Sequence, residues 1–228
     1  MLARHVEADP YPWPYNGDLR PANSVFIVID MQTDFCGPGG YVDKMGYDLS
    51  LTRAPIGPIQ RVFEAVRSLG YHVFHTREGH RPDLTDLPPA KKARGHFTVG
   101  IGDVGPMGRI LIRGEAGHDI IPELYPLAGE PVVDKPGKGA FFATDLHAIL
   151  QSRSIAQLVV TGVTTEVCVS TTVREANDRG YDCLVLRDCC GSYFPEFHDS
   201  ALAMISAQRG IFGWVGESGQ LIDAIGRA

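Results

Sequence analysis

The chain has 228 residues, 44% of them hydrophobic and 21% charged, which suits one domain with a proper apolar core. Its formal net charge of −6 argues against a protein built to hold nucleic acid, since that affinity comes from Lys and Arg on phosphates. No apolar run approaches the roughly 20 residues that span a bilayer, and Met1 to Leu19 carries acids and prolines where a signal peptide would be apolar, so a cytoplasmic protein without membrane or nucleic-acid partners is predicted.

The five cysteines, Cys36, Cys168, Cys183, Cys189 and Cys190, form an odd set without CxxC spacing, which indicates neither a disulfide framework nor a zinc site. In chain order, Ala8-Asp-Pro-Tyr-Pro-Trp-Pro-Tyr-Asn-Gly17 has prolines that preclude regular structure and aromatics that seek cover, so residues 1–22 read as an extended arm laid on the body or on a neighbouring subunit. Ser24-Val-Phe-Ile-Val-Ile-Asp30 is a β-branched and aromatic run ending in an acid, the pattern of a buried parallel strand. A helix near Pro58 to Leu69 presents Ile59, Val62, Phe63 and Val66 on one face, Gly70 stops it, and Tyr71 to His75 reads as the second strand.

Thr76 to Gly129 is rich in Gly and Pro with little periodicity, and predicts functional loops, subunit contacts or a lid. Alternation then resumes with strands at Pro131 to Asp134, Leu158 to Thr161 and Cys183 to Leu186. Helices are expected near Asp145 to Gln151, Val167 to Asp178 and Asp199 to Gln208, followed by a short strand at Gly213 to Val215 and a terminal helix near Gln220. Such alternation predicts a single α/β domain over 1–228, a doubly wound parallel sheet with helices on both faces.

Ligands of such sheets bind beyond the carboxyl ends of the strands. Those ends carry Asp30, Asp134-Lys135 and, after Thr161-Gly-Val-Thr-Thr-Glu-Val, Cys168. Cys168 follows a Gly- and Thr-rich turn and opens a helix, where unpaired N–H groups would lower a thiol pKa; its alternative is an inert buried Cys, and Cys36 is the rival nucleophile. Cys183, inside a strand, and Cys189-Cys190, just after it, are expected to pack. Asp30 is either a structural hydrogen-bonding acid or a catalytic one, and Lys135 either a solvated loop charge or the partner that favours the charged forms of both acid and thiol.

Asp30-Met-Gln-Thr-Asp-Phe35, Lys135 with Phe141 six positions later, and Thr161-Gly-Val-Thr-Thr-Glu-Val-Cys-Val169 together resemble the three signature blocks of the isochorismatase-like cysteine hydrolases. The resemblance implies a six-stranded parallel sheet, a homo-oligomer, often a tetramer, and a catalytic triad of Asp30, Lys135 and Cys168. A narrower similarity, to the biuret and triuret hydrolase subgroup, rests on Asp9 to Gly17, Gly39-Gly-Tyr-Val-Asp43, His75-Thr-Arg-Glu-Gly-His-Arg-Pro-Asp83 and Asp134-Lys-Pro-Gly-Lys-Gly139. It implies a small neutral ureide as substrate, with Phe35, Lys138 and Gln208 as contacts; Val163 at the turn and Tyr193 in a loop near the active edge are expected to line the pocket with them. It also implies a cis peptide at Val163-Thr164 that directs the N–H groups of Thr164 and Cys168 into an oxyanion hole.

Met107, Ala140, the shortened Arg94-Gly-His-Phe97 region and Ser192-Tyr-Phe-Pro-Glu-Phe197 depart from the biuret pattern, and bulky Tyr193 and Phe194 favour the longer triuret. The metal-binding nicotinamidase branch places an Asp and two His after the second strand, but His75, His80 and Asp83 do not match that spacing, so neither metal nor cofactor is expected. The isochorismatase branch proper, which cleaves an ether, lacks the nucleophile, so Cys168 points to amide chemistry. A hydrolase for ureidoacrylate or another N-carbamoyl compound is the enzymatic alternative, recognisable by an added basic pocket; a binding protein on the same fold is the other.

Overall fold

A computed structural model describes residues 4–94 and 99–226; Gly95, His96 and Phe97 of the shortened region lie outside the described residues. Twelve elements of the main layers matter for the site. They are β1 (Ser24–Ile29), α1 (Ile56–Ser68), β2 (His72–Glu78), α2 (Pro89–Ala93), β3 (Val132–Lys135), α3 (Leu146–Ser152), β4 (Gln157–Val163), α4 (Ser170–Asn177), β5 (Asp182–Gly191), α5 (Pro195–Gly210), β6 (Trp214–Gly216) and α6 (Ser218–Gly226). The six strands form one parallel sheet in the order β3-β2-β1-β4-β5-β6.

Side chains of β1 alternate between two cores, as the twofold repeat of a strand requires. Phe26 and Val28 join Ile59, Val62 and Phe63 of α1 and Leu221 and Ile225 of α6 on one face. Val25, Ile27 and Ile29 join Leu146 and Leu150 of α3, Val173 of α4 and Leu202 of α5 on the other. Helices therefore cover both faces. The order reverses between β1 and β4, the switch point where an open parallel sheet leaves a crevice. There Gly162 has φ +108° and lies so close to β1 that an added Cβ would fall on the Ile29 carbonyl oxygen.

Three sequence expectations shift. The second strand does not stop at His75 but runs through Thr76, Arg77 and Glu78, each held by pairing with β3. The helix expected from Val167 is regular only from Ser170, behind a π-helical turn at Thr165–Val169. Cys189 and Cys190 lie inside β5 rather than after it, because that strand continues past a register shift and re-pairs Cys190 with Gly162. The arm is pinned by backbone bonds between Val6 and Trp13 and between Asp9 and Val215, with Trp13 fully buried. No helix among the described residues is long and apolar enough to cross a membrane.

Candidate active site

Four neighbouring strands deliver one side chain each to the carboxyl edge: Lys135 closes β3, Glu78 closes β2, Asp30 follows β1, and Cys168 sits in the turn after β4. Asp30 leaves its strand with φ +51°, a left-handed conformation that Asp tolerates better than most residues. Its Oδ1 accepts from Thr76 Oγ1 at 2.7 Å, and Lys135 Nζ stands 2.7 Å from Oδ2. Lys135 directs its hydrogen bonds at the carbonyls of Gly137 (3.0 Å) and Lys138 (2.9 Å), so the chain after β3 wraps its own ammonium group. That loop is anchored to α4 by Ala140 N–H on Thr172 Oγ1 and Phe141 N–H on Glu175 Oε2.

Glu78 is the member that the sequence did not reveal as functional. It is fully buried, its Oε2 lies 3.6 Å from Cys168 Sγ, and Lys138 reaches both its oxygens at 2.8 and 3.1 Å. Lys91 of α2 donates to Oε1 at 3.0 Å and to the Pro136 carbonyl at 2.6 Å. Buried Gln32 fixes the end of β2 by bonding both the N–H and the carbonyl of Glu78, at 2.7 and 3.0 Å. Its signal lay in the sequence as an acid two residues beyond Thr76, hidden because the polar run Thr76-Arg77-Glu78 does not read as strand.

Burial opposes the Glu78 charge, yet Lys135, Lys138 and Lys91 outweigh it and pull the carboxyl down to about 2. Burial likewise opposes the Lys135 ammonium, and the charges of Asp30, Cys168 and Glu78 overcome it, holding this lysine above its ordinary value. The thiol goes the other way. Burial pushes Cys168 well up, Asp30 and Glu78 add to the rise, and Lys135 and Lys138 only offset part of it. The expected lowering at a helix start is thus corrected: Cys168 lies within the π-helical turn, out of water and between two carboxylates.

Of the other expected contacts, Tyr193 Oη donates to the Phe35 carbonyl at 2.7 Å, which draws both residues together, and burial next to Cys36 and Cys168 raises its phenol. The Val163–Thr164 peptide is cis, and the Thr164 carbonyl accepts from the N–H groups of Val167 and Val169. Cys36, the rival thiol, faces the Gln32 carbonyl at 3.3 Å and is buried among apolar residues. Gln208 does not join the cluster. It lies past the last regular turn of α5 with φ +53°, is exposed, and stands at the edge where β6 begins, opposite the strand ends that hold Asp30 and Cys168.

His75, His80 and Asp83 are not brought together either: His75 pairs with Glu130, His80 with Asp86, and Asp83 with Thr85. Among the described residues, the one donor group compact enough for a metal ion is Asp30, Glu78 and Cys168, whose ligand atoms lie within 4.8 Å of one another. Lys135 stands on Asp30, and Lys138 and Lys91 stand on Glu78, so both carboxylates already hold cations. Lys91 and Lys138 also line a cavity of about 670 Å³ whose wall includes Tyr41, Arg94, Pro136 and Phe142.

The doubly wound sheet thus gathers a thiol, two carboxylates and their lysines at its carboxyl edge, the groups that a cysteine hydrolase uses. Residues 24–219 match the family model of the isochorismatase domain. A cysteine hydrolase from Pseudomonas syringae pv. phaseolicola is 26% identical, with a TM-score of 0.78 over 99% of both chains. An isochorismatase-like hydrolase from Alkaliphilus metalliredigens is 30% identical, with a TM-score of 0.69 over 89% of this chain and 98% of that one. N-carbamoylsarcosine amidase from Thermoplasma acidophilum, 24% identical over 86% of this chain and 96% of its own, shares the fold with a TM-score of 0.65. The chain belongs to the isochorismatase family, in its cysteine hydrolase branch.

Proposed function

We propose that this protein is a cysteine amidohydrolase that cleaves a terminal amide C–N bond of a small linear ureide, triuret or biuret, through a thioester on Cys168. The observation that carries the proposal is the Cys168 thiol lying within 4.8 Å of the Asp30 and Glu78 carboxylates while Lys135 pairs with Asp30 at 2.7 Å. A raised thiol needs a base at the moment of attack, so Asp30 removes its proton as sulfur approaches the carbonyl carbon. Lys135 keeps the carboxylate and the nascent thiolate company throughout.

The N–H groups of Thr164 and Cys168 hold the tetrahedral oxyanion. Protonated Asp30 then passes its proton to the departing amino group, ammonia leaves, and the acyl group remains on sulfur. Water, deprotonated by Asp30, attacks the thioester carbonyl; the thiolate departs and regains the proton. The net reaction consumes one water and releases ammonia and the carboxylated product, allophanate from biuret or carboxybiuret from triuret. Phe35, Val163 and Tyr193 bound the reacting end of the substrate, and Lys138 donates to a carbonyl oxygen.

The cavity of about 670 Å³ beside Lys138 leaves room for either ureide. A second reading has its own support: Lys91, Arg94 and Lys138 on one wall suit a carboxylate tail, as in an N-carbamoyl acid. The proposal includes a homotetramer, supported by large side chains left exposed on α5, Phe197 at 48% and Met204 at 56%. Ammonia release from biuret, triuret, ureidoacrylate and nicotinamide tests the reading. Turnover of the neutral ureides ahead of the others is expected; preference for ureidoacrylate would replace the first reading with the second.

A further inference from the structure

Glu78 has a surplus of partners and no part in the proton transfers assigned to Asp30. Its Oε1 receives Lys91 at 3.0 Å and Lys138 at 2.8 Å, and its Oε2 receives Lys138 at 3.1 Å and the Cys168 thiol at 3.6 Å. A carboxylate offers about four lone-pair sites, so the resting group is full. Taking the proton from the thiol removes one of the four contacts made by these three donors. The vacancy then opens on Oε2, facing the sulfur that is about to bond to carbon.

The nitrogen of the amide under attack lies about 1.3 Å from that carbon, and Oε2 stands only 3.6 Å from the sulfur. We propose that Glu78 is a substrate-binding residue for this reaction, whose Oε2 accepts an N–H of the leaving amino group in place of the thiol proton. The proposal rests on Cys168 being the nucleophile. It gives the two carboxylates separate work. Asp30, whose carboxylate lies within 4.8 Å of the sulfur, moves protons; Glu78, bound by Gln32 through its backbone and by two ammonium groups through its oxygens, stays ionised and only accepts.

With one N–H held by Glu78, the lone pair that forms on nitrogen as the C–N bond breaks is turned toward the proton on Asp30. No covalent bond forms at Glu78, and no proton leaves the nitrogen for it. The site then selects for amides and against esters of the same shape, because an alkoxy leaving group offers no donor and leaves a buried charged acceptor unpaired. It also selects against a carboxylate at that position, which would face Glu78 across a desolvated gap.

The test compares biuret with methyl allophanate, which yields the same thioester but expels methanol. In the wild-type enzyme and in Glu78→Gln, kcat/KM is measured for both. The amide-over-ester ratio is expected to fall by about ten- to a hundredfold in the variant, because only the amide uses the acceptor. An equal loss on both compounds, or no loss on either, overturns the proposal, since a residue that merely holds the lysines would not discriminate leaving groups.

A second measurement needs no variant. Biuret carrying one methyl on a terminal nitrogen keeps an N–H there, whereas two methyls remove it, and each is followed by release of the corresponding amine from wild-type enzyme. The dimethyl compound is expected to lose at least about tenfold relative to the monomethyl one; equal rates overturn the proposal. Failure of the ureide reading is separately visible as wild-type enzyme inert on biuret and triuret. The same amide-to-ester comparison is then made on whichever carboxamide of the panel the enzyme hydrolyses.

Discussion

Lys135 Nζ meets Asp30 Oδ2 at 2.7 Å with neither side chain exposed, although β2 separates the strands that carry them. The lysine spans that gap because its stem lies above the end of β2, where Glu78 supplies a further negative charge 4.0 Å from the ammonium. A buried pair of this kind is weak evidence of added stability, but it is costly to break.

Lys135→Met is therefore expected to lose activity and about 3–5 kcal/mol of stability, because it strands a buried carboxylate. Asp30→Asn in the same background should recover part of the stability and none of the activity. Denaturation at fixed protomer concentration measures the three variants; additive costs for the two single changes would show that the residues do not act as a pair.

Acid stability should fall in two windows. Burial, against the pull of Asp134, holds the His118 imidazole down to about 4, whereas an unfolded histidine titrates near 6.5. The unfolded chain thus binds a proton that the folded one refuses, so this contribution is complete above about 6.5 and is lost as pH falls toward 4. Glu78, held down to about 2, contributes above the ordinary carboxyl value of about 4.3, and that share is lost on descending toward 2. Thermal midpoints from pH 7 to 3 check both, with His118→Gln expected to flatten the upper window; a midpoint level from 7 to 4 would contradict the assignment.

In the free enzyme the thiol should behave as a poor nucleophile. Since burial and two carboxylates raise Cys168, its alkylation by iodoacetamide is expected to climb with pH through an inflection above the ordinary thiol value of about 8.5. Mass analysis of the peptide carrying Cys168 at each pH gives the profile. An inflection below that value would mean the lysines outweigh burial.

Asp30, Lys135 and Cys168 were legible in the sequence because Asp30 directly follows a strand, Lys135 ends one and Cys168 lies in the turn after a third, and a parallel sheet gathers such ends at one edge. Glu78 was not legible as a partner. Its strand ends in Thr76-Arg77-Glu78, held by β3 pairing rather than by apolar pattern, and its lysines come from α2 and the loop after β3, 13 and 60 residues away. The thiol's shift was misjudged because sequence reveals a turn before a helix but not the complete desolvation within it. Gln208 stands away from the cluster for a topological reason: a helix that leaves the active edge at Pro195 carries its last residues to the opposite edge before β6 can start.

Gln208→Ala is accordingly expected to leave kcat/KM for ureides within about twofold and the thermal midpoint nearly unchanged, as for an exposed residue away from any packed feature. A selective drop in kcat/KM would return Gln208 to the substrate and require a path from the far edge to the site.

The central claim is that Cys168 carries the acyl group, and acid-quenched enzyme examined by mass spectrometry during turnover tests it most directly. The account predicts a mass increase equal to the ureide minus ammonia, confined to the peptide that contains Cys168 and absent from Cys168→Ser. Turnover that continues in Cys168→Ser, or an adduct on Cys36, would contradict it.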